Sequence, residues 1–203
     1  MTEKEKMLSG NLYFYDDKDL VEERKITKLL VFELNNLNIL EKEKRLEIFK
    51  KLLGKIGENC YIKSPFYCDY GANIEIGKNF YANYNTTILD CAKVRIGDNV
   101  FFGPNVSLFT VGHPIDAEIR NSGVEFALPI SIGNNVWIGG NTVINPNVCI
   151  GDNTVIGAGS VVTKDIPSGV VAFGNPCKAH REINENDKEF YFKDLAYKQT
   201  KSG

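Results

Sequence analysis

From Ile132 to Pro167 the chain repeats every six residues: IGNNVW, IGGNTV, INPNVC, IGDNTV, IGAGSV and VTKDIP. The first position is aliphatic throughout, Gly takes the second in four of the six, and the fifth is small or β-branched. A side chain that returns to one facing every six residues fits a triangular prism with three six-residue faces per coil. Such a fixed period predicts a parallel β-helix, in which short strands stack about 4.8 Å apart. The aliphatic first residue then fills the prism with the fifth pointing inward beside it, and Gly, Asn and Asp supply the corners. The phrase returns upstream as Ile56-Gly57-Glu58-Asn59, Ile76-Gly77-Lys78-Asn79 and Ile96-Gly97-Asp98-Asn99, 20 residues apart, a coil of 18 with a two-residue insertion.

The period breaks once. After Leu108 come Val111-Gly112-His113-Pro114 and a polar stretch through Gly123, and hexads resume near Pro129-Ile130. An insertion in a regular solenoid maps to a loop on one face, where function concentrates.

Residues 1–55 follow a different rule. They are charged, poor in Gly and helical in period, with one helix read around Leu20 to Leu37 and a second from Glu41 to Leu53, stopped at Gly54. The pair is suited to cap the open first coil, whose strand edges would otherwise be bare. The chain thus divides into a helical cap (1–55), a β-helix (56–170) with an inserted loop at about 112–129, and a tail (171–203), expected to pack back along the rod.

Composition narrows the function. With 24 Lys and Arg against 26 Asp and Glu, net charge is −2, so nothing argues for nucleic acid or an anionic membrane surface. No apolar run reaches membrane-spanning length, and the Lys-rich start lacks a signal-peptide core. Five scattered cysteines without a C-x-x-C pair read as free thiols in a reducing cytoplasm.

The candidate chemistry is sparse. There are two histidines. His113 lies at the break in the repeat, and imidazole is the side chain best suited to take a proton near neutral pH; a loop histidine making one hydrogen bond is the alternative. His180 reads as a solvated residue of the tail. Asp69, Asn83 and Asp90 fall 14 and 21 residues from one another's start at Asp69, near enough to coil spacing to share one prism edge. A polar edge of Asp, Asn and Tyr suits a sugar, and corner turns are the other reading. Lys164, Lys178 and Arg181 could hold phosphates or be solvated. Gly139-Gly140 and Ala158-Gly159 leave coil surface bare for an extended ligand, and Trp137, pointing outward, suits a ligand such as a coenzyme or a neighbouring subunit. Two histidines cannot supply the three that a β-helix zinc hydratase needs, so no metal is expected.

Taken together, Tyr81-Ala82-Asn83, Leu89-Asp90-Cys91, Gly112-His113-Pro114, IGNNVWIG from Ile132, Ile144-Asn145-Pro146, IGAGSVVTKDIP from Ile156 and Gly174-Asn175-Pro176, with the opening MTEKEKMLSG, resemble the maltose and galactoside O-acetyltransferases of the hexapeptide-repeat superfamily, nearly end to end. The resemblance implies a mainly β, left-handed parallel β-helix assembled as a homotrimer with sites between subunits. It implies acetyl-CoA as donor, a small sugar as acceptor and His113 as general base. It assigns acceptor contacts to Asp69, Asn83, Asp90 and Glu125, with Asp16 or Asp17 and Arg24 from the helical region. Coenzyme A contacts fall on Gly103, Gly140, Ala158, Thr163, Lys178 and Arg181, beside the candidates Trp137 and Lys164. Some galactoside-type relatives carry a second acid where this chain has Cys91 and Ser where it has Asp69, and others have Arg at Lys178, which leaves the acceptor open. A hexapeptide acyltransferase for serine, an antibiotic or a nucleotide sugar and a non-catalytic rod are the competing readings.

Overall fold

A computed structural model describes residues 1–196. The hexads wind a parallel β-solenoid with three faces. The first stacks Lys55–Ile56, Ile74–Ile76, Val94–Ile96, Ile130–Ile132 and Cys149–Ile150. The second stacks Tyr61–Ile62, Tyr81–Ala82, Phe101–Phe102, Trp137–Ile138, Val155–Ile156 and Val170–Gly174, and the third Phe66–Cys68, Thr86–Leu89, Ser107–Phe109, Val143–Ile144 and Val161–Val162. First-position residues Ile132, Ile138, Ile144, Ile150, Ile156 and Val162 are all buried, as are fifth-position Val136, Thr142, Val148, Thr154, Ser160 and Ile166. The prism core is therefore the hexad read inward.

The corners correct one expectation. Left-handed backbone belongs to the fourth position: Asn59, Asn79, Asn85, Asn99, Asn105, Asn135, Asn141, Asn147 and Asn153 have φ between 54° and 61°. Asn tolerates this region because its short amide bonds locally. Their side chains also form ladders along two edges, with Nδ2 of Asn79, Asn99 and Asn135 donating to Oδ1 of Asn99, Asn135 and Asn153 at 2.8 to 3.0 Å. The second-position Gly serves stacking instead. A Cβ on Gly97 would lie 2.6 Å from the Gly133 carbonyl oxygen of the next coil, closer than atoms can approach.

Three helices precede the solenoid: α1 (Glu3–Leu8), α2 (Lys18–Asn36) and α3 (Lys42–Leu52). Val31 and Leu34 of α2 and Ile48, Phe49 and Leu52 of α3 join Ile62, Phe66 and Ile74 in one continuous core. The helices also answer the first coil's unpaired backbone groups. Asn35 accepts from Phe66 N–H and donates to its carbonyl, both at 2.9 Å. The buried Arg45 guanidinium donates to the carbonyls of Leu34 (2.9 Å), near the α2 C-terminus, and Ile62 (3.1 Å). Arg45→Met, which keeps the stem but leaves two buried acceptors unpaired, is expected to destabilise the protein by about 2–4 kcal/mol, read as a lower denaturant midpoint. An unchanged midpoint would mean water replaces both bonds.

The insertion is a hairpin rather than a plain loop. Val111–Gly112 pairs antiparallel with Val124–Ala127, and a short helix α4 (Ala117–Asn121) lies between them. Tyr13–Phe14, ahead of α2, adds a third strand on the outer side of Val124–Ala127. At the far end Cys177–Glu182 turns back antiparallel on Val170–Gly174. The expected return of the tail along the rod holds to that point only: from Ile183 to Ala196 every residue is exposed, in a short helix α5 (Asn186–Glu189) and a small hairpin. The tail's residues 197–203 lie outside the described residues. Among the described residues no helix is long and apolar enough to cross a membrane.

Candidate active site

Successive coils bring Asp69, Asp90 and Thr110 to the edge between the third and first faces. Asp90 is fully buried and accepts from the backbone N–H of Asp69 (3.0 Å), Tyr70 (2.9 Å) and Asn73 (3.3 Å). Burial pushes its carboxyl up to about 6, against the pull of the N–H groups of Tyr70, Gly71 and Asp69. Its carboxylate builds the turn that carries Asp69. Asp69 itself is less buried, and its Oδ2 lies 3.6 Å from the Cys91 thiol. Burial raises the Asp69 carboxyl, while the Cys91 S–H and the Arg24 charge act the other way. Burial drives the Cys91 thiol upward too, so it stays protonated and a poor nucleophile.

The inserted hairpin hangs over this edge. His113 follows Val111–Gly112, half exposed, with Nε2 3.6 Å from Oε1 of Glu125 on the opposite strand. The Tyr13 hydroxyl donates to Glu125 Oε2 at 2.8 Å. From α2, Arg24 donates to the Tyr70 hydroxyl and to the Tyr15 carbonyl, each at 2.5 Å. Tyr13 and Tyr70 pack with Met7, Leu20, Cys91, Ala92 and Ala127 in a second apolar cluster beneath. Glu125 and Arg24 both act on the Asp69 carboxyl and His113 stands beside Glu125, so the four form one polar cluster next to the apolar one. Tyr13 and Tyr70 are the members that sequence reasoning missed: Tyr13 is on a two-residue strand that leaves no periodicity to read, and Tyr70 is in the turn after Phe66–Cys68. Asp17 caps α2, its Oδ1 accepting from Asp19 N–H (3.1 Å) and Leu20 N–H (3.4 Å); Asp16 is exposed beside it.

Asn83 departs from expectation. It follows Tyr81–Ala82 on the second face, so it lies on the edge between second and third faces, one prism edge away from Asp69 and Asp90. Its N–H bonds the Phe102 carbonyl at 3.0 Å, which stacks it under Gly103. Above them Gly103 N–H bonds Ile138, and Gly159 N–H bonds Gly140 at 2.9 Å. Gly103, Gly140 and Ala158 therefore line this same edge as nearly bare backbone. A Cβ on Gly103 would sit 2.5 Å from the Gly140 nitrogen, so Gly is required there. Trp137 is 57% exposed on the second face between Phe101 and Val155. Thr163 and Lys164 follow Val161–Val162 and so belong to the third–first edge. Lys178 is exposed on the returning strand; Arg181 grips Asp187 with two bonds of 2.6 and 2.7 Å and holds that carboxyl down at about 2. The ring of His180 stacks on Phe173 at 3.6 Å.

Known proteins share this architecture. Residues 6–57 match the maltose acetyltransferase hexapeptide capping motif, 93–115 the hexapeptide repeat of succinyl-transferase, and 129–164 the six repeats of bacterial transferase hexapeptide. Galactoside O-acetyltransferase of Escherichia coli (strain K12) is 51% identical over 190 residues, covering 94% of each chain. The crystal structure of a maltose O-acetyltransferase from Clostridium difficile 630 is 53% identical with a TM-score of 0.90, covering 91% of this chain and 99% of that one. A galactoside acetyltransferase in complex with coenzyme A is 50% identical with a TM-score of 0.95, over 98% of this chain and 99% of that one. Capping helices, hexapeptide coils and inserted hairpin are thus shared along nearly the whole length, and the chain belongs to the maltose/galactoside O-acetyltransferase family of hexapeptide-repeat acyltransferases.

Proposed function

We propose that the protein is a sugar O-acetyltransferase that moves the acetyl group of acetyl-CoA directly to a hydroxyl of a small sugar of the maltose, glucose or galactoside type. The observation that carries this reading is the imidazole of His113 beside Glu125 in a polar cluster with Asp69 and Arg24. Carboxylates and a guanidinium supply the acceptors and donors that sugar hydroxyls need. A sugar hydroxyl does not ionise alone at neutral pH, so His113 takes its proton as the oxygen attacks the thioester carbonyl. The C–S bond breaks, the acetyl group passes to oxygen, and coenzyme A leaves as the thiol. No acyl-enzyme is involved, since the one thiol at the site, Cys91, is buried against a carboxylate rather than a base.

The donor fits the bare edge of Gly103, Gly140 and Ala158, with Thr163, Lys164, Lys178, Arg181 and Trp137 as the remaining candidates. Gly140 N–H is the proposed partner of the thioester oxyanion; it stands between the amides of Gly139 and Asn141, already committed to Ile156 (2.7 Å) and Pro104 (2.8 Å). The donor edge and the His113 edge are different edges of one prism. A cleft uniting them, with Asn83 brought to the acceptor, is formed between copies of the chain, which supports the homotrimer. The cytoplasm suits the five unpaired thiols. An acceptor panel of glucose, maltose, a galactoside, serine and chloramphenicol, with coenzyme A release as readout, tests the reading. Release is expected with the sugars, and release with serine or chloramphenicol alone overturns it.

A further inference from the structure

We infer that Tyr13 is a positioning residue for the acetyl transfer: its hydroxyl pins one oxygen of Glu125 so that the other is held against His113. This rests on His113 being the base. The geometry is a line of three side chains from three segments. Tyr13 and Glu125 are register partners across the antiparallel pair of Tyr13–Phe14 with Val124–Ala127, so the backbone itself presents them to one another. The 2.8 Å bond uses Glu125 Oε2, and the 3.6 Å approach to imidazole Nε2 uses Oε1. Each oxygen has one partner, which fixes the rotation of the carboxylate.

Tyr13 is suited to this because it cannot move or ionise. It is 1% exposed, wedged among Met7, Leu20, Cys91 and Ala127. Burial drives its phenol above its ordinary range, so it remains a donor throughout the working pH range. Without that donor, Glu125 has a free oxygen on a hairpin that reaches solvent, and nothing selects the rotamer facing the imidazole. Asp69 and the Cys91 thiol from the solenoid edge and Arg24 from α2 stand nearby, and none of them bonds Glu125. The strand ahead of α2 therefore orients the catalytic hairpin, a task separate from capping the rod. A general base whose partner is held in one rotamer meets the transition state without reorganisation, whereas a swinging partner loses that benefit in turnover rather than in binding.

The test compares Tyr13→Phe, Glu125→Ala, the double variant and His113→Ala, assayed with acetyl-CoA and the sugar that the unmodified enzyme acetylates fastest. Tyr13→Phe keeps the ring in its packing and is expected to lower kcat about tenfold, with both KM values within about twofold and the thermal midpoint little changed. In the Glu125→Ala background the same substitution is expected to change kcat by less than about twofold, because the hydroxyl no longer has a partner to hold. Unchanged kcat in Tyr13→Phe, or a tenfold loss that persists without Glu125, overturns the positioning role, as does a rise confined to the acceptor KM. Should Tyr13→Phe lower the thermal midpoint, Glu125→Ala decides: kcat near that of the unmodified enzyme overturns the inference. His113→Ala separates the two levels. Full activity there removes the base itself, while an inactive His113→Ala beside an unaffected Tyr13→Phe removes only the role of Tyr13.

Discussion

His113→Ala is expected to cut turnover by at least ~100-fold while leaving coenzyme A binding nearly unchanged. The argument is positional. His180, the other histidine, is stacked on Phe173 on the returning C-terminal strand and cannot substitute. The carboxylates around His113 are otherwise engaged: Asp90 is sealed in its turn, Asp69 faces the Cys91 thiol and Glu125 is held by the Tyr13 hydroxyl. The edge proposed for the donor, with Gly103, Gly140 and Ala158, is another part of the prism, so truncating the imidazole leaves it intact. Steady-state turnover with calorimetric binding of coenzyme A checks both halves. Turnover within a few-fold of the unmodified enzyme removes His113 from the chemistry, and a matching loss of binding recasts it as a binding residue.

The second large effect concerns assembly. Ala158 is exposed on the second–third edge, where a bulky side chain is expected to block the donor without disturbing the core, and Ala158→Trp should therefore be inactive. If each site joins the imidazole of one copy to the donor edge of the next, an inactive Ala158→Trp chain and an inactive His113→Ala chain repair one another. Random mixing in equal amounts leaves about one site in four with both halves intact, so co-refolding is expected to restore about a quarter of normal activity. A mixture no more active than its components means each chain carries a complete site, and the shared cleft falls.

How much of this was legible beforehand follows from what kind of signal each part leaves. The coils are written in the chain because every six residues one aliphatic must face inward, and Ile132 to Val162 obey that rule one after another. His113 was legible because it interrupts the rule. Edge membership was not: Asn83 comes 14 residues after Asp69, two hexads and a two-residue insertion rather than a whole coil, and only the sheet order shows which corner holds that insertion and so assigns Asn83 to its own edge. Asp90 reads as a site carboxylate in sequence and proves to be a turn holder, because burial is decided by neighbours from adjacent coils. Tyr13 was silent, since its role depends on an N-terminal strand meeting a hairpin more than a hundred residues away, and Tyr70 because its partner Arg24 comes from the capping helix. Glycine was legible as important but serves two purposes: most left-handed corners went to Asn, with Gly159 taking one, while Gly97 and its counterparts permit close stacking.

Asp69, Asp90 and Thr110 stand on consecutive rungs of one prism edge. The distance from Asp69, the proposed acceptor contact, to the hairpin bearing His113 is thereby counted in rungs of about 4.8 Å. The rod acts as a ruler, and gain or loss of one whole turn between Asp69 and Val111 would reset the height of the chamber by a single notch while leaving every facing unrotated. The separation of the two groups in such a scaffold changes in steps, not by degrees.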